Sequence, residues 1–126
     1  MFMRLIFIIT VVIVFGAIAR MGTQLLGFFG NNGEIFEASS EVHEIVRVIY
    51  IDFIAPGRRL TMDQSSFMDY LRTRVKVTES KRDPSLDPWS MPYRITINPD
   101  GSYEIRSAGP DQEYYTSDDI VAEGGT

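Results

Sequence analysis

The chain has 126 residues, enough for one domain, and a net charge of −5. Setting aside Arg4 and Arg20, which flank an apolar stretch, leaves 10 of the 12 basic residues against all 17 acidic ones. The resulting net −7 beyond residue 20 excludes holding a nucleic-acid backbone by charge, and the absence of cysteine excludes disulfide staples and thiolate metal sites.

Leu5 to Ala19 carries no charge and one polar residue, Thr10. With Met1 to Met3 and the weakly polar residues 21–29, the apolar reach is about 20 residues, the length that crosses a bilayer. We expect a retained single-pass helix over residues 1–29, with the short N-terminal tail inside and the following domain outside. The alternative is a cleaved signal peptide with its site at Ala17-Ile18-Ala19. Gly27 to Gly33 holds three glycines and two asparagines, which disfavour a continuous helix. Residues 30–38 are therefore expected to be a link, with a kinked helix as the alternative, and residues 39–126 to be the folded domain.

Ser39 or Ser40 can cap a helix whose first turn carries Glu41 and Glu44. Val42, Val46, Ile49 and Phe53 form its apolar stripe, widened by Ile45 and Val48, and Pro56-Gly57 stops it. The β-branched run from Ile45 to Ile51 also suits a buried strand, but length and the acidic start favour helix. Thr61-Met62-Asp63-Gln64 has the form of a capping box, predicting a second helix to about Arg74 with Phe67, Leu71 and Val75 on one face. Residues 78–87 read as a polar loop in which Lys81, Arg82 and Asp83 are solvated.

Arg94 to Asn98 and Ser102 to Arg106 alternate with period two, so Ile95 and Ile97 share a face, as do Tyr103 and Ile105. Asn98-Pro99-Asp100-Gly101 supplies the turn of a hairpin. The stretch Ala108 to Ile120 then places Asp111, Glu113, Asp118 and Asp119 in a loop, with no Lys or Arg after Arg106. Such a loop is either splayed in water or closed on a cation. Its carboxylates are hard oxygen ligands of the kind Ca²⁺ takes, although the spacing is not that of an EF-hand.

His43 is the single histidine and is expected on a helix surface, without a zinc site. Trp89 and Tyr93 are expected to pack on the sheet, and Tyr114 and Tyr115 to cover the loop or meet a partner. No nucleophile–base set, phosphate loop or acid–base pair is discernible, so neither an enzyme nor a small-molecule substrate is expected.

The run Asp87-Pro88-Trp89-Ser90-Met91-Pro92-Tyr93-Arg94, then Ser107-Ala108-Gly109-Pro110-Asp111 and Thr116-Ser117-Asp118-Asp119-Ile120, resembles the C-terminal domain of the major pseudopilin (protein G) of type II secretion systems. The close match covers about a third of the chain. The resemblance implies an α+β fold, an amphipathic helix packed on a small antiparallel sheet behind an N-terminal transmembrane helix. It also implies a Ca²⁺ held by the side chains of Asp111, Asp118 and Asp119 and the backbone carbonyls of Ala108 and Thr116. The implied role is structural: a component of a secretion or related filament machine, anchored in a bacterial inner membrane with its domain in the periplasm. Its partners would be proteins of that machine, further copies of itself included.

Two departures shape the expectations. Ser90 stands where the family usually has Gly, which predicts a wider turn. No Gly-Phe-Thr-Leu-Ile-Glu-like processing site is present, and no Glu occurs before Glu34. These favour a second expectation, a stand-alone membrane-anchored periplasmic calcium-binding module that forms no filament.

Overall fold

The apolar stripe read from the sequence becomes one face of helix α1, whose described part is residues 32–49. Ala38, Val42, Ile45 and Ile49 are fully buried along it, at the three- and four-residue spacing of a single helical face. The computed structural model describes residues 32–75 and 82–125. The chain divides into two compact units, Met1–Gly33 and Glu34–Thr126, and the architecture below is that of the second. The expected membrane stretch lies outside the described residues. Among the described residues no helix is long and apolar enough to cross a membrane.

Two expectations for α1 are corrected. Residues 32–38 are helical and continuous with 39–49, so this part of the expected link is helix, and Ser39 and Ser40 lie within it instead of capping it. Of that Gly- and Asn-rich stretch, Asn32 and Gly33 are described and are helical, in a helix whose next turns bury Ala38 and Val42. At its other end α1 passes into a π-helical turn, Tyr50–Ile54, closed by the Ala55 N–H donating to the Tyr50 carbonyl at 2.8 Å. The extra residue per turn lets Phe53 and Ile54 both keep contact with the core. Pro56-Gly57 then ends the helix as the sequence predicts, with Gly57 at φ +72°.

Helix α2, Gln64–Arg74, buries Phe67 and Leu71. Its N-cap is Asp63, whose side chain accepts the Ser66 N–H at 2.7 Å. The expected Thr61–Gln64 capping box is therefore displaced by two residues, because a carboxylate at 63 offers the orphan amides a stronger acceptor than the Thr61 hydroxyl. Gln64, released from that role, reaches the sheet instead. Its Nε2 donates to the Tyr93 carbonyl at 2.7 Å and its Oε1 faces the Ile95 N–H at 3.4 Å.

The sheet has three antiparallel strands in the order β1-β2-β3: Arg94–Ile97, Tyr103–Ser107 and Ile120–Gly124. The hairpin is as expected. Ile95 faces Ile105 and Ile97 faces Tyr103. In the turn, Gly101 sits at φ +90° and donates to the Asn98 carbonyl at 3.0 Å. β3 is a strand that the sequence reading left unassigned. Its Gly124 pairs with Tyr103, and a Cβ there would come within 2.5 Å of the Tyr103 ring.

Tyr103, Ile105 and Ala122 on the sheet, Phe67 and Leu71 on α2, and Val42, Ile45 and Ile49 on α1 form one core. The Tyr103 hydroxyl donates to the Val46 carbonyl at 3.0 Å, which fastens β2 to α1. The fold is therefore α+β, with helices on one face of a small antiparallel sheet. The other face carries Arg94, Thr96, Glu104, Arg106, Val121 and Glu123.

The expected solvated cluster after α2 is also revised. Lys81 lies outside the described residues. Arg82 is 14% exposed and bridges two carboxylates of α1, Glu37 at 2.8 Å and Glu41 at 2.6 Å. Asp83 accepts from Arg72 and from the Ser85 amide and hydroxyl. The loop is polar because it neutralises α1 and caps its own turn.

Candidate metal centre

The loop joining β2 to β3 begins where Ser107 leaves the sheet. Ala108 and Gly109 are both buried. Gly109 takes φ +72°, and a Cβ there would lie 2.3 Å from the Asp118 carbonyl oxygen. Only glycine lets the two ends of the loop approach so closely. Gln112 then donates to the Gly109 carbonyl at 3.1 Å and turns the chain back.

That turn brings three of the predicted ligands together. One carboxylate oxygen from each of Asp111, Asp118 and Asp119 lies within 4.8 Å of the others. The fourth acidic residue, Glu113, points elsewhere and contributes its N–H to Asp111 Oδ1 at 2.9 Å. Asp118 accepts the Thr116 hydroxyl on Oδ1 at 2.7 Å and the Asp111 N–H on Oδ2 at 3.0 Å. The Thr116 hydroxyl, and then the Asp111 amide, hold the Asp118 carboxyl below its ordinary range.

Asp119 is a partly buried member whose side chain is 3% exposed. Burial pushes its pKa upward, but the Arg106 guanidinium and the amides of Tyr115 and Thr116 outweigh this and hold it low. Arg106 Nη1 lies 2.5 Å from Asp119 Oδ2, and the same guanidinium pairs with Glu104. A basic group thus does reach the loop: the last arginine in the chain points back from β2 along the solvent face of the sheet. The two predicted carbonyl donors belong to residues next to the cluster in the chain. Ala108 directly precedes the glycine packed on Asp118, and the Thr116 carbonyl accepts the Asp119 N–H at 3.4 Å.

A second carboxylate braces the loop from below. Asp87 is fully buried. Its Oδ1 accepts the N–H groups of Trp89 and Met91 at 3.1 and 2.8 Å, and its Oδ2 accepts the Ser107 hydroxyl at 2.6 Å. The Ser107 oxygen in turn accepts the Gly109 N–H at 3.3 Å. One buried carboxylate therefore joins the 87–91 turn to the root of the acidic loop.

Ser90 completes that turn at φ +68°, donating to the Asp87 carbonyl at 2.9 Å. The turn is not widened, because Ser90 adopts the left-handed conformation that a glycine would take. No family model matches the chain, and searches of characterised proteins and of solved structures return no significant match.

The aromatic residues divide between packing and exposure. Tyr93 is fully buried, and Trp89 is half-buried in the turn. Tyr114 donates its hydroxyl to the Pro92 carbonyl and lies under the Arg94 guanidinium, 3.7 Å from the ring centre, so it closes the loop onto the 87–93 turn. Tyr115 is 68% exposed, with Arg106 over one face of its ring. His43 lies on the exposed surface of α1, its Nδ1 2.7 Å from the Ser39 carbonyl oxygen.

Asp87 and Arg106 are the residues the sequence reading did not assign to the centre; Ser107 was expected to offer it an oxygen, and its hydroxyl is instead donated to Asp87. Ser107 and Asp87 each stand at an end of a recognised motif, but their hydrogen bond spans twenty residues. For Arg106 a local signal exists. Strand alternation places it on the face opposite Ile105, toward the solvent-side root of the loop.

Proposed function

We propose that this chain is a structural, pseudopilin-like component of a secretion or related filament system, whose C-terminal domain is stabilised by calcium. The observation that carries the reading is the convergence of Asp111, Asp118 and Asp119 on one point of a loop already closed by Gly109. The donor set is all oxygen, which suits Ca²⁺ and not a thiolate- or imidazole-preferring metal.

A bound Ca²⁺ would add positive charge to a cluster in which Arg106 already pairs with Asp119 but no ion pair reaches Asp111 or Asp118 among the described residues. The chain's own residues do the rest. Thr116 and the Asp111 amide orient Asp118, Arg106 and the Tyr115 amide orient Asp119, and the Ala108 and Thr116 carbonyls are the further donors that the resemblance implies. Residues 1–29 would anchor the domain in the inner membrane, with the domain in the periplasm. No role in this reading calls for catalysis.

The test is a thermal melt of the chain in detergent, with calcium and with a chelator. Stabilisation should be about 2–3 kcal/mol when calcium is about a hundredfold above its Kd. Asp118→Ala should remove most of this increment. A melting temperature indifferent to calcium rules out the site, and a full shift retained in Asp118→Ala moves the ligands elsewhere. Intact mass of the chain recovered from a bacterial membrane tests the anchor, which removal of residues 1–19 by signal peptidase would exclude.

A further inference from the structure

The end of the sheet opposite the acidic loop carries a groove of about 670 Å³ beside the hairpin turn. Ile54, Leu60, Met62 and Ile97 form its apolar floor, and Arg58 and Arg59 stand at its mouth. Both arginines are exposed. The described arginines 47, 72, 74, 82 and 106 are all in ion pairs, and Arg94 lies on Tyr114. Among the described residues no carboxylate forms an ion pair with Arg58 or Arg59. Asp100, the carboxylate of the adjoining turn, is directed onto the Ser102 amide and hydroxyl at 2.9 and 2.6 Å.

The acidic loop has the complementary character. Glu113 and Tyr115, two residues apart, are both exposed, and Glu113 lies outside the carboxylate cluster. The loop therefore displays an aromatic ring, with Arg106 over one face, and a carboxylate that forms no ion pair among the described residues. β2 separates the two features by roughly 14 Å of strand, so one copy cannot join its own loop to its own groove by a local rearrangement.

We infer that the groove receives the acidic loop of a second copy of this chain, with Glu113 between Arg58 and Arg59 and Tyr115 on the apolar floor. The surfaces differ, so the contact is heterologous: each copy keeps a free groove at one end and a free loop at the other. In a chain of net −5, two neighbouring exposed arginines that form no ion pair among the described residues, Arg58 acting only at longer range on Asp52, over an apolar floor select an acidic, aromatic occupant, and the chain itself displays one. The inference rests on the proposed structural role and gives it a specific contact; the side chains of Glu113 and Tyr115 are not among the expected ligands, although their amides donate to Asp111 and Asp119.

The lack of native cysteine makes the contact directly testable. Thr61→Cys lines the groove and Ser117→Cys lies on the exposed loop. Full-length chains carrying one or the other are mixed in detergent with calcium and oxidised. The contact predicts a mixed disulfide between the two variants in excess over same-site dimers. Adding Arg58→Glu and Arg59→Glu to the groove variant should lower the mixed yield roughly tenfold, and Glu113→Arg in the loop variant should restore it. Same-site dimers alone, or a mixed yield indifferent to charge reversal, would overturn the inference. A groove meant for some other acidic protein gives the latter result. Failure of the calcium reading shows separately, as a melting temperature indifferent to calcium in the unsubstituted chain.

Discussion

At the scale of single residues the centre depends on backbone conformations as much as on carboxylates. Ser90, Gln112 and Tyr115 are the described non-glycine residues with positive φ, and all three lie in the 87–91 turn or the acidic loop. A left-handed conformation costs a side-chain-bearing residue about 1–2 kcal/mol, and part of that is recovered when glycine takes its place. Ser90→Gly should therefore stabilise the chain by about 0.5–1 kcal/mol, seen as a rise in melting temperature of about 3–6 °C. A fall would mean that the Ser90 side chain makes a contact of greater worth than its strain. Asp87 acts in the opposite sense. It is a buried carboxyl group, tolerated because three donors converge on its two oxygens, and none of its polar atoms is left unsatisfied.

At the scale of elements, the exposed strand edges matter most. β1 and β3 are both outer strands, and a bare edge is a template for unwanted pairing. Gln64 covers part of the β1 edge by placing its amide against the backbone of Tyr93 and Ile95, much as a neighbouring strand would. Gln64→Ala should cost about 1 kcal/mol in urea unfolding and raise light scattering at high concentration. Unchanged stability with unchanged scattering would show that water and α2 protect the edge without it.

The same elements show what local sequence encodes. The hairpin was legible because alternation and turn chemistry act over neighbouring residues, and Ile95, Ile97, Tyr103 and Ile105 needed no distant partner to declare their faces. The three-carboxylate cluster was legible for the same reason, since its members lie within nine residues. β3 was not, because Ile120 to Gly124 is short and becomes a strand only by docking on β2. Neither the Gln64 contact nor the Arg82 bridge to α1 was readable, because each joins residues 29 or more apart through a side chain whose partner only the tertiary fold supplies.

At the scale of the whole molecule, the charge pattern sets the response to acid. Glu44, Asp52, Asp63, Asp83, Asp100, Asp118 and Asp119 are all held below their ordinary range by guanidinium, hydroxyl or amide partners. A carboxyl with a lowered folded pKa stabilises the fold above its unfolded value, about 4, and loses that contribution as pH falls through the folded value. Stability should thus be nearly level from pH 7 to about 5 and decline steadily below about pH 4. Calcium should steepen the decline, because protonation then competes with the ion for the same oxygens. Denaturant midpoints at several pH values measure this, and a molecule that grows more stable between pH 5 and 3 would contradict the assignments.

The chain contains one tryptophan, and it lies in the turn braced by Asp87. The Trp89 amide, the Asp87 carboxylate, the Ser107 hydroxyl and the Gly109 amide form an unbroken relay to the root of the acidic loop. A rearrangement at Gly109 is therefore expected to reach the backbone that carries a half-buried indole. The protein carries its own fluorophore, two hydrogen-bonded steps from the root of the acidic loop. Emission from the unlabelled chain should change when calcium is mixed in a stopped-flow trace, and emission indifferent to calcium would show that the relay does not carry the change.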